Sequence, residues 1–214
     1  MFEVTILAVV PELTDSEFET VLPLVSSEKR KRIRKFHFRK DAQNCLLGDV
    51  LARICICRAT GLSNQQLEFS TNEYGKPFLT TDPRIHFNIS HAGYYVVCAV
   101  SDEPVGIDIE LIKPVEMKIA ERFFTPDETA YITQDESIRR FYEVWTKKES
   151  RIKWEGLGLH KPLTSFSVFG SNEQDAIFYH KVFSNDETIS HLCSSKKDMP
   201  SVIILNTSIL LNIL

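Results

Sequence analysis

The chain is short of the features that mark several protein classes. It has five cysteines in 214 residues, an odd number, and no two stand at C-x-x-C spacing. That argues against a disulfide framework and against a zinc site of the usual spacing. Cys45, Cys55, Cys57, Cys98 and Cys193 lie mostly among apolar neighbours, as in LARICICRA and YVVCAV. They read as reduced, buried, small apolar residues, and a cytoplasmic location is expected. The opening MFEVTILAVVPE lacks a basic start and carries Glu3 in its apolar run. A first strand, not a signal peptide, is expected there. No apolar run reaches the roughly 18 residues of a membrane span. The closing SVIILNTSILLNIL is broken by Asn206, Thr207, Ser208 and Asn212. It reads as a strand with a short end segment, so no membrane partner is expected. The formal net charge of -4 shows no large excess of one sign, which gives no general attraction to polyanions.

What is present suits a soluble globular protein: 43% hydrophobic and 25% charged residues. The length allows one large domain or two small ones packed together. A strand over 3–10 precedes a helical stretch over 17–25. Ser26 or Ser27 is placed to cap the next helix, SEKRKRIRKF. A longer helix follows over 39–60, with Leu46, Leu47, Val50, Leu51 and Ile54 at helical spacing, and Gly61 suits its C-terminal cap. From 67 the texture turns to short β-branched and aromatic runs: LEFS, KPFLT, RIHFNIS, YYVVCAVS and VGIDIE. The tight polar turn between the last two predicts a hairpin. Helical patterns return after 110, with Thr125 as a cap, Pro126 at a first helical position and a helix over 138–154. SFSVF, AIFYHKVF, ISHLCSS and VIILN read as strands. The outline repeats strand, helices, strands. It predicts two similar α+β halves, 1–104 and 105–214, tightly packed because no Ser/Gly linker parts them.

Four constellations carry candidate chemistry. In VGIDIE, strand alternation puts Asp108 and Glu110 on one face and Ile107 and Ile109 on the other. Taken alone, the pair could be a solvent-facing strand edge. In FYEVWTKKESRIK, the stripe Phe141, Val144, Trp145, Ile152 continues onto Lys148 and Glu149. The bland reading is a helical ion pair of Glu149 with Lys153, at i+4, worth about 0.3–0.5 kcal/mol. That explains Lys153 but not a carboxylate beside Trp145. A divalent cation held by Asp108, Glu110 and Glu149 answers both puzzles, because hard ions take carboxylate oxygens and turn their repulsion into attraction. The run EKRKRIRKFHFRK holds eight Lys or Arg residues. It is a solvated helical face, a nucleic-acid patch or a docking surface for a phosphate ligand. Lastly, NEYGKPF and HFNISHAG set Lys76, Ser90 and His91 at a turn and a strand end, where they suit phosphate.

Together EYGKP, FNISHAG, GIDIE, RFFTPDE and WTKKESRIKWEGLGL, with SEKRKRIRKF and LLGDVLAR, resemble the Sfp-type 4'-phosphopantetheinyl transferases. The resemblance runs nearly end to end and is weakest after about 170. It implies an α+β pseudo-dimer of two halves with the active site in the cleft between them. It implies transfer of the 4'-phosphopantetheine arm of coenzyme A to a serine of an apo peptidyl or acyl carrier protein, with release of adenosine 3',5'-bisphosphate. Asp108, Glu110 and Glu149 match the metal ligands, for Mg2+ with Mn2+ as the alternative. Glu149 also matches the proposed general base, Lys153 a phosphate contact, and Glu128 an acid close to the metal. Lys76, Ser90 and His91 match residues around the phosphates of coenzyme A. Lys29, Arg32 and Arg34 align with basic residues at its nucleotide end. The segment from Leu111 to Phe124 matches the carrier-protein docking region, with Ile112, Val115, Met117 and Phe124 as apolar contacts. A monomer serving nonribosomal peptide or polyketide synthetases in antibiotic biosynthesis is expected. The same chemistry on fatty-acid carrier protein is the runner-up. A nucleic-acid-binding module ranks lower, since it gives no reason for the three acids to converge; no nucleic-acid partner is expected.

Overall fold

Strand β1, Phe2–Ala8, sends Val4 and Ile6 to one side and Leu7 to the other, and each side is buried in a different core. The chain continues through α1 (Asp15–Val21), α2 (Ser27–Ile33), the long α3 (Arg39–Thr60), and a small hairpin of β2 (Phe69–Thr71) and β3 (Pro77–Leu79). A larger hairpin follows, β4 (His86–Ala92) and β5 (Tyr95–Ser101). After residues 102–104 come β6 (Val105–Leu111), α4 (Lys118–Phe123), α5 (Pro126–Thr133) and α6 (Ile138–Glu155). The hairpin β7 (Phe178–Ser184) and β8 (Thr188–Ser194), then β9 (Ser201–Asn206) and α7 (Thr207–Ile213), complete it. This computed structural model describes residues 1–134, 137–169 and 176–214.

Two sheets result. One has the order β4-β5-β1-β9, the other β6-β8-β7. In each half a first strand pairs antiparallel with the second strand of a later hairpin: β1 with β5, β6 with β8. The arrays β4-β5-β1 and β7-β8-β6 therefore repeat one plan, the α+β pseudo-dimer expected. The sheets stack face to face. Val4, Ile6, Val97 and Ala99 of the first meet Val105, Ile107, Ile109 and Leu192 of the second. Helix α3 covers the outer face of the first sheet, and α6 packs on β6 and β8 of the second. Burying a strand on both faces needs near-continuous apolar sequence, and YVVCAVS in β5 supplies it.

Local signals act where the sequence places them. The Ser26 hydroxyl accepts the Lys29 N–H at 3.2 Å, and Gly61 closes α3 in the left-handed region at φ 75°. Thr125 and Glu128 form a capping box around Pro126. The five cysteines are free.

Three expectations need correction. First, β5 and β6 are not a hairpin: β5 lies between β4 and β1, and β6 pairs with β8 in the other sheet. Residues 102–104 are the crossing between halves, and the true hairpin turns at Gly93, φ 58°. Second, SFSVF forms no strand. Phe166, Val168 and Phe169 instead pack into a third core with Phe124, Phe141 and Trp145. Third, the last segment leaves the second half. β9 runs parallel to β1 and α7 buries Leu210 in the first core. Among the described residues no helix is long and apolar enough to cross a membrane.

Candidate active site

Alternation along β6 divides its side chains. Val105, Ile107 and Ile109 enter the core between the sheets, so Gly106, Asp108 and Glu110 face α6. Gly106 leaves no side chain in the seam, and the backbone of α6 at Ser150 and Trp154 occupies the space. That close approach brings Lys153 to Asp108. The Lys153 ammonium donates to Asp108 Oδ1 at 2.7 Å and to Ser90 Oγ at 2.9 Å, and Ser90 Oγ donates to Asp108 Oδ1 at 3.0 Å. Ser90 belongs to β4, so this triangle joins the two halves. Two residues earlier on the same face, Asn88 Oδ1 accepts the Ile107 N–H at 2.8 Å.

Asp108 is 3% exposed, and its Oδ2 has no hydrogen-bond partner. A buried carboxylate oxygen without a donor is costly. The other acids respond to the same enclosure. Burial, then the charge of Asp108, pushes Glu110 up to about 7; Lys153 opposes this, Glu149 adds to it, and a hydrogen bond from Trp145 opposes it. Glu149 is raised by burial and by Asp108, against Lys153. The three carboxylates thus sense one another across the strand–helix seam, where the Lys153 ammonium pairs with Asp108.

Two openings flank the triangle. One, of about 380 Å³, is lined by Lys40, Asp41, Asn44, His91, Glu110 and Tyr142 among others. The second, of about 200 Å³, includes Tyr74, Lys76, Asn88, Lys153 and Gly156. Burial and the charge of Lys153 lower the pKa of His91; Asp41 opposes and Lys29 reinforces the shift. Lys29 therefore acts on the same cleft.

Comparison with known proteins decides the family. The profile described as 4'-phosphopantetheinyl transferase, N-terminal, matches residues 12–103, and that of the 4'-phosphopantetheinyl transferase superfamily matches 104–205. The 4'-phosphopantetheinyl transferase Sfp of Bacillus subtilis (strain 168) is 46% identical over 159 residues, 73% of this chain and 71% of that protein. The 4'-phosphopantetheinyl transferase gsp of Aneurinibacillus migulanus is 39% identical over 181 residues, covering 83% and 76%. A third relative, 4'-phosphopantetheinyl transferase psf-1 of Bacillus pumilus, is 42% identical over 163 residues, covering 75% and 70%. The chain belongs to the Sfp-type 4'-phosphopantetheinyl transferases.

Within this transferase, Ser90, Asp108 and Lys153 are in direct contact, and Glu110, Glu149, His91 and Lys29 act on the same cleft. Several expected site residues are placed otherwise. Glu128 is fully buried: its Oε2 accepts the Thr125 N–H at 2.9 Å and pairs with the Lys148 ammonium at 2.7 Å, and its Oε1 accepts the Val168 N–H at 2.7 Å. Both its oxygens are thus bonded within the protein. Arg34 pairs with Glu19 at 2.8 Å on an exposed face, and Arg32 is exposed on α2. Of the expected docking contacts, Phe124 is buried against Phe141 and Trp145, while Ile112, Val115 and Met117 stay half-buried.

Asn88, Asn44 and Tyr142 carry no sequence signal, since each depends on which elements meet. Another cavity, of about 610 Å³, is apart from all of them. It lies between α3 and the chain's last residues, lined mainly by Leu24, Val50, Leu51, Ile54, Ile213 and Leu214.

Lys76 has a role of its own in the transferase. Its ammonium donates to the carbonyls of Val105 and Trp154, each at 3.2 Å, clasping the β2–β3 turn to β6 and the end of α6. Burial pushes its pKa down from 10.5 to about 8. The folded protein then holds fewer protons than the unfolded chain between those values, so this residue makes stability rise with pH from about 8 to 10.5. Urea titrations across that range should show the rise in wild type and its loss in Lys76→Met. Parallel profiles for the two proteins would exclude the clasp as its source.

Proposed function

We propose that this transferase moves the 4'-phosphopantetheine arm of coenzyme A onto a serine of an apo carrier domain of a peptide or polyketide synthetase. The supporting observation is the meeting of Ser90, Asp108 and Lys153 across the seam between halves, with Glu110 and Glu149 beside them. In the step, the serine oxygen forms a bond to the phosphorus that bears the pantetheine arm. The bond from that phosphorus to the bridging diphosphate oxygen breaks, and adenosine 3',5'-bisphosphate departs. The serine proton passes to Glu149, directly or through water; burial raises the basicity that this role requires. Lys153 donates to the diphosphate oxygens, and His91 and Lys29 bind phosphate in the same cleft.

Asp108, Glu110 and Glu149 would hold a divalent cation, Mg2+ or Mn2+. The donor set fits a hard ion: it is all carboxylate oxygen, and Asp108 Oδ2 is buried with no partner. Among the described residues no three such side chains are already gathered close enough to hold a metal, so binding would have to draw them together. The ion supplies positive charge for the diphosphate and the leaving group.

Mixing the protein with coenzyme A, Mg2+ and an apo carrier domain should raise the carrier's mass by one phosphopantetheine group. A chelator should stop the change and added Mg2+ should restore it. Unchanged mass on synthetase carriers and on fatty-acid carrier protein alike would refute the proposed activity; transfer to the fatty-acid carrier alone would redirect the substrate.

A further inference from the structure

The structure pairs Glu128 with Lys148. Both side chains are completely buried. Lys148 uses all three ammonium protons, on Glu128 Oε2 at 2.7 Å, the Leu163 carbonyl at 2.7 Å and the Phe166 carbonyl at 2.6 Å. Glu128 binds the backbone of Thr125 and Val168 in turn. Five bonds thus lock α6 to the start of α5 and to residues 163–168. The Phe166 ring flanks the ammonium at 4.5 Å and Phe124 at 5.8 Å.

Stability alone does not account for the pair. An apolar pair of similar volume often stabilises a core as well or better, because both charges must be stripped of water. What the pair adds is direction. Lys148 immediately precedes Glu149, and successive helix residues point about 100° apart. Lys148 is anchored on the side of α6 that faces the third core, and Glu149 reaches toward β6. With side chains extending about 5–6 Å from the helix axis, a roll of α6 by roughly 10° moves the Glu149 carboxylate by about 1 Å. Misplacement of that size is enough to cost a hundredfold in rate.

We propose that Lys148 and Glu128 are positioning residues for the transfer reaction: their buried ion pair fixes the roll of α6, and with it where Glu149 stands relative to Asp108 and Glu110. The same clamp ties that setting to Phe124, at the end of the segment from Leu111 to Phe124. This rests on the proposed function, and the experiment separates the two.

Three proteins are compared with wild type: Lys148→Met, Glu128→Gln/Lys148→Met and Lys148→Arg. The single loss strands Glu128 as a buried charge and should cost folding. In the double variant no charge is left buried; the Gln oxygen keeps one of the two backbone N–H bonds that Glu128 accepts and the amide nitrogen gives up the other, so part of the thermal stability should return. Its kcat should nevertheless fall at least tenfold with little change in KM for the carrier. Its Mn2+ affinity with coenzyme A present, read by electron paramagnetic resonance, should fall by a similar factor. Lys148→Arg keeps the charge but not three single donors around one nitrogen. It should fold and show the same two losses, and it decides the matter if the double variant does not fold. Wild-type kcat and Mn2+ affinity in a folded double variant or in Lys148→Arg would overturn the proposal. If wild type itself neither binds Mn2+ nor modifies a carrier, the proposed function fails and takes the positioning role with it.

Discussion

Glu110→Gln should give a protein that is harder to unfold and nearly inactive. The two effects have one cause. Folding raises the Glu110 carboxyl from 4.5 to about 7, through burial and then the charge of Asp108. Between those values the folded protein holds a proton that the unfolded chain releases. Stability therefore falls as pH rises from about 4.5 to about 7 and stays lowered above it. Glutamine keeps the shape and an acceptor for Trp145 but carries no charge to desolvate. Glu110 is only partly enclosed, so after allowance for solvent screening the gain above pH 7 is on the order of 1–2 kcal/mol. Urea midpoints in chelator should coincide for wild type and variant near pH 4.5 and separate toward pH 8, with the variant higher. A variant no more stable than wild type at pH 8 would contradict the electrostatic picture of the site.

The activity loss follows from the proposed metal role. Removing a charged ligand should lower transfer by at least about a hundredfold. Mg2+ should also close the stability gap from the other side, because an ion that binds only the folded wild type stabilises it. Addition of Mg2+ should therefore raise the wild-type midpoint at pH 8 and leave that of Glu110→Gln nearly unmoved. On the proposed function, an acid pair on a strand costs stability until its ligand is present, and that would be why VGIDIE carries two of them.

Much of this was legible in the sequence because it rests on periodicity. The alternation in VGIDIE and the stripe ending at Glu149 each assign a side chain to a face, and both elements form as read. Gly61, Ser26 and Thr125 act through bonds spanning a few residues, and their signals are local. What could not be read depends on which elements meet. The polar turn at 102–104 fits a hairpin as well as a crossing; the choice is made by β8, some eighty residues later, taking the edge that β5 would have used. SFSVF has the composition of a strand, but its aromatic groups are claimed by the helices around Phe141. Glu128 shows the same limit. Its place in FFTPDE signals a capping box, but its bonds to Lys148 and Val168 come from residues far along the chain.

Gly106→Ala should be the most damaging small change in the molecule. The backbone there is ordinary, so the cost is one of space. A Cβ would overlap the carbonyl oxygen of Ser150 and the backbone nitrogen of Trp154, and would lie 2.8 Å from the carbonyl carbon of Lys153. Ser150 and Trp154 are i and i+4 in α6, so the methyl group would intrude on a helix hydrogen bond. No side chain can rotate away to relieve this. Either α6 lifts off β6 or the strand bows, and both open the buried seam. Overpacking of this kind costs about 1–3 kcal/mol where neighbours can adjust, and more where the obstacle is backbone. A loss of about 3 kcal/mol or more is expected, read as a large drop in melting temperature. Gly48→Ala is the control. Its Cβ would meet a methyl group of Ile89 at 3.3 Å, a side-chain atom able to shift, and it should change stability little. Any folded Gly106→Ala protein should also lose transfer activity, because displacing α6 pulls Lys153 from Asp108 and Ser90. If Gly106→Ala unfolded within about 0.5 kcal/mol of wild type, which is the scale of an ordinary surface substitution, the seam could not be as tight as the structure has it. The alignment of Lys153 with Asp108 would then need another cause.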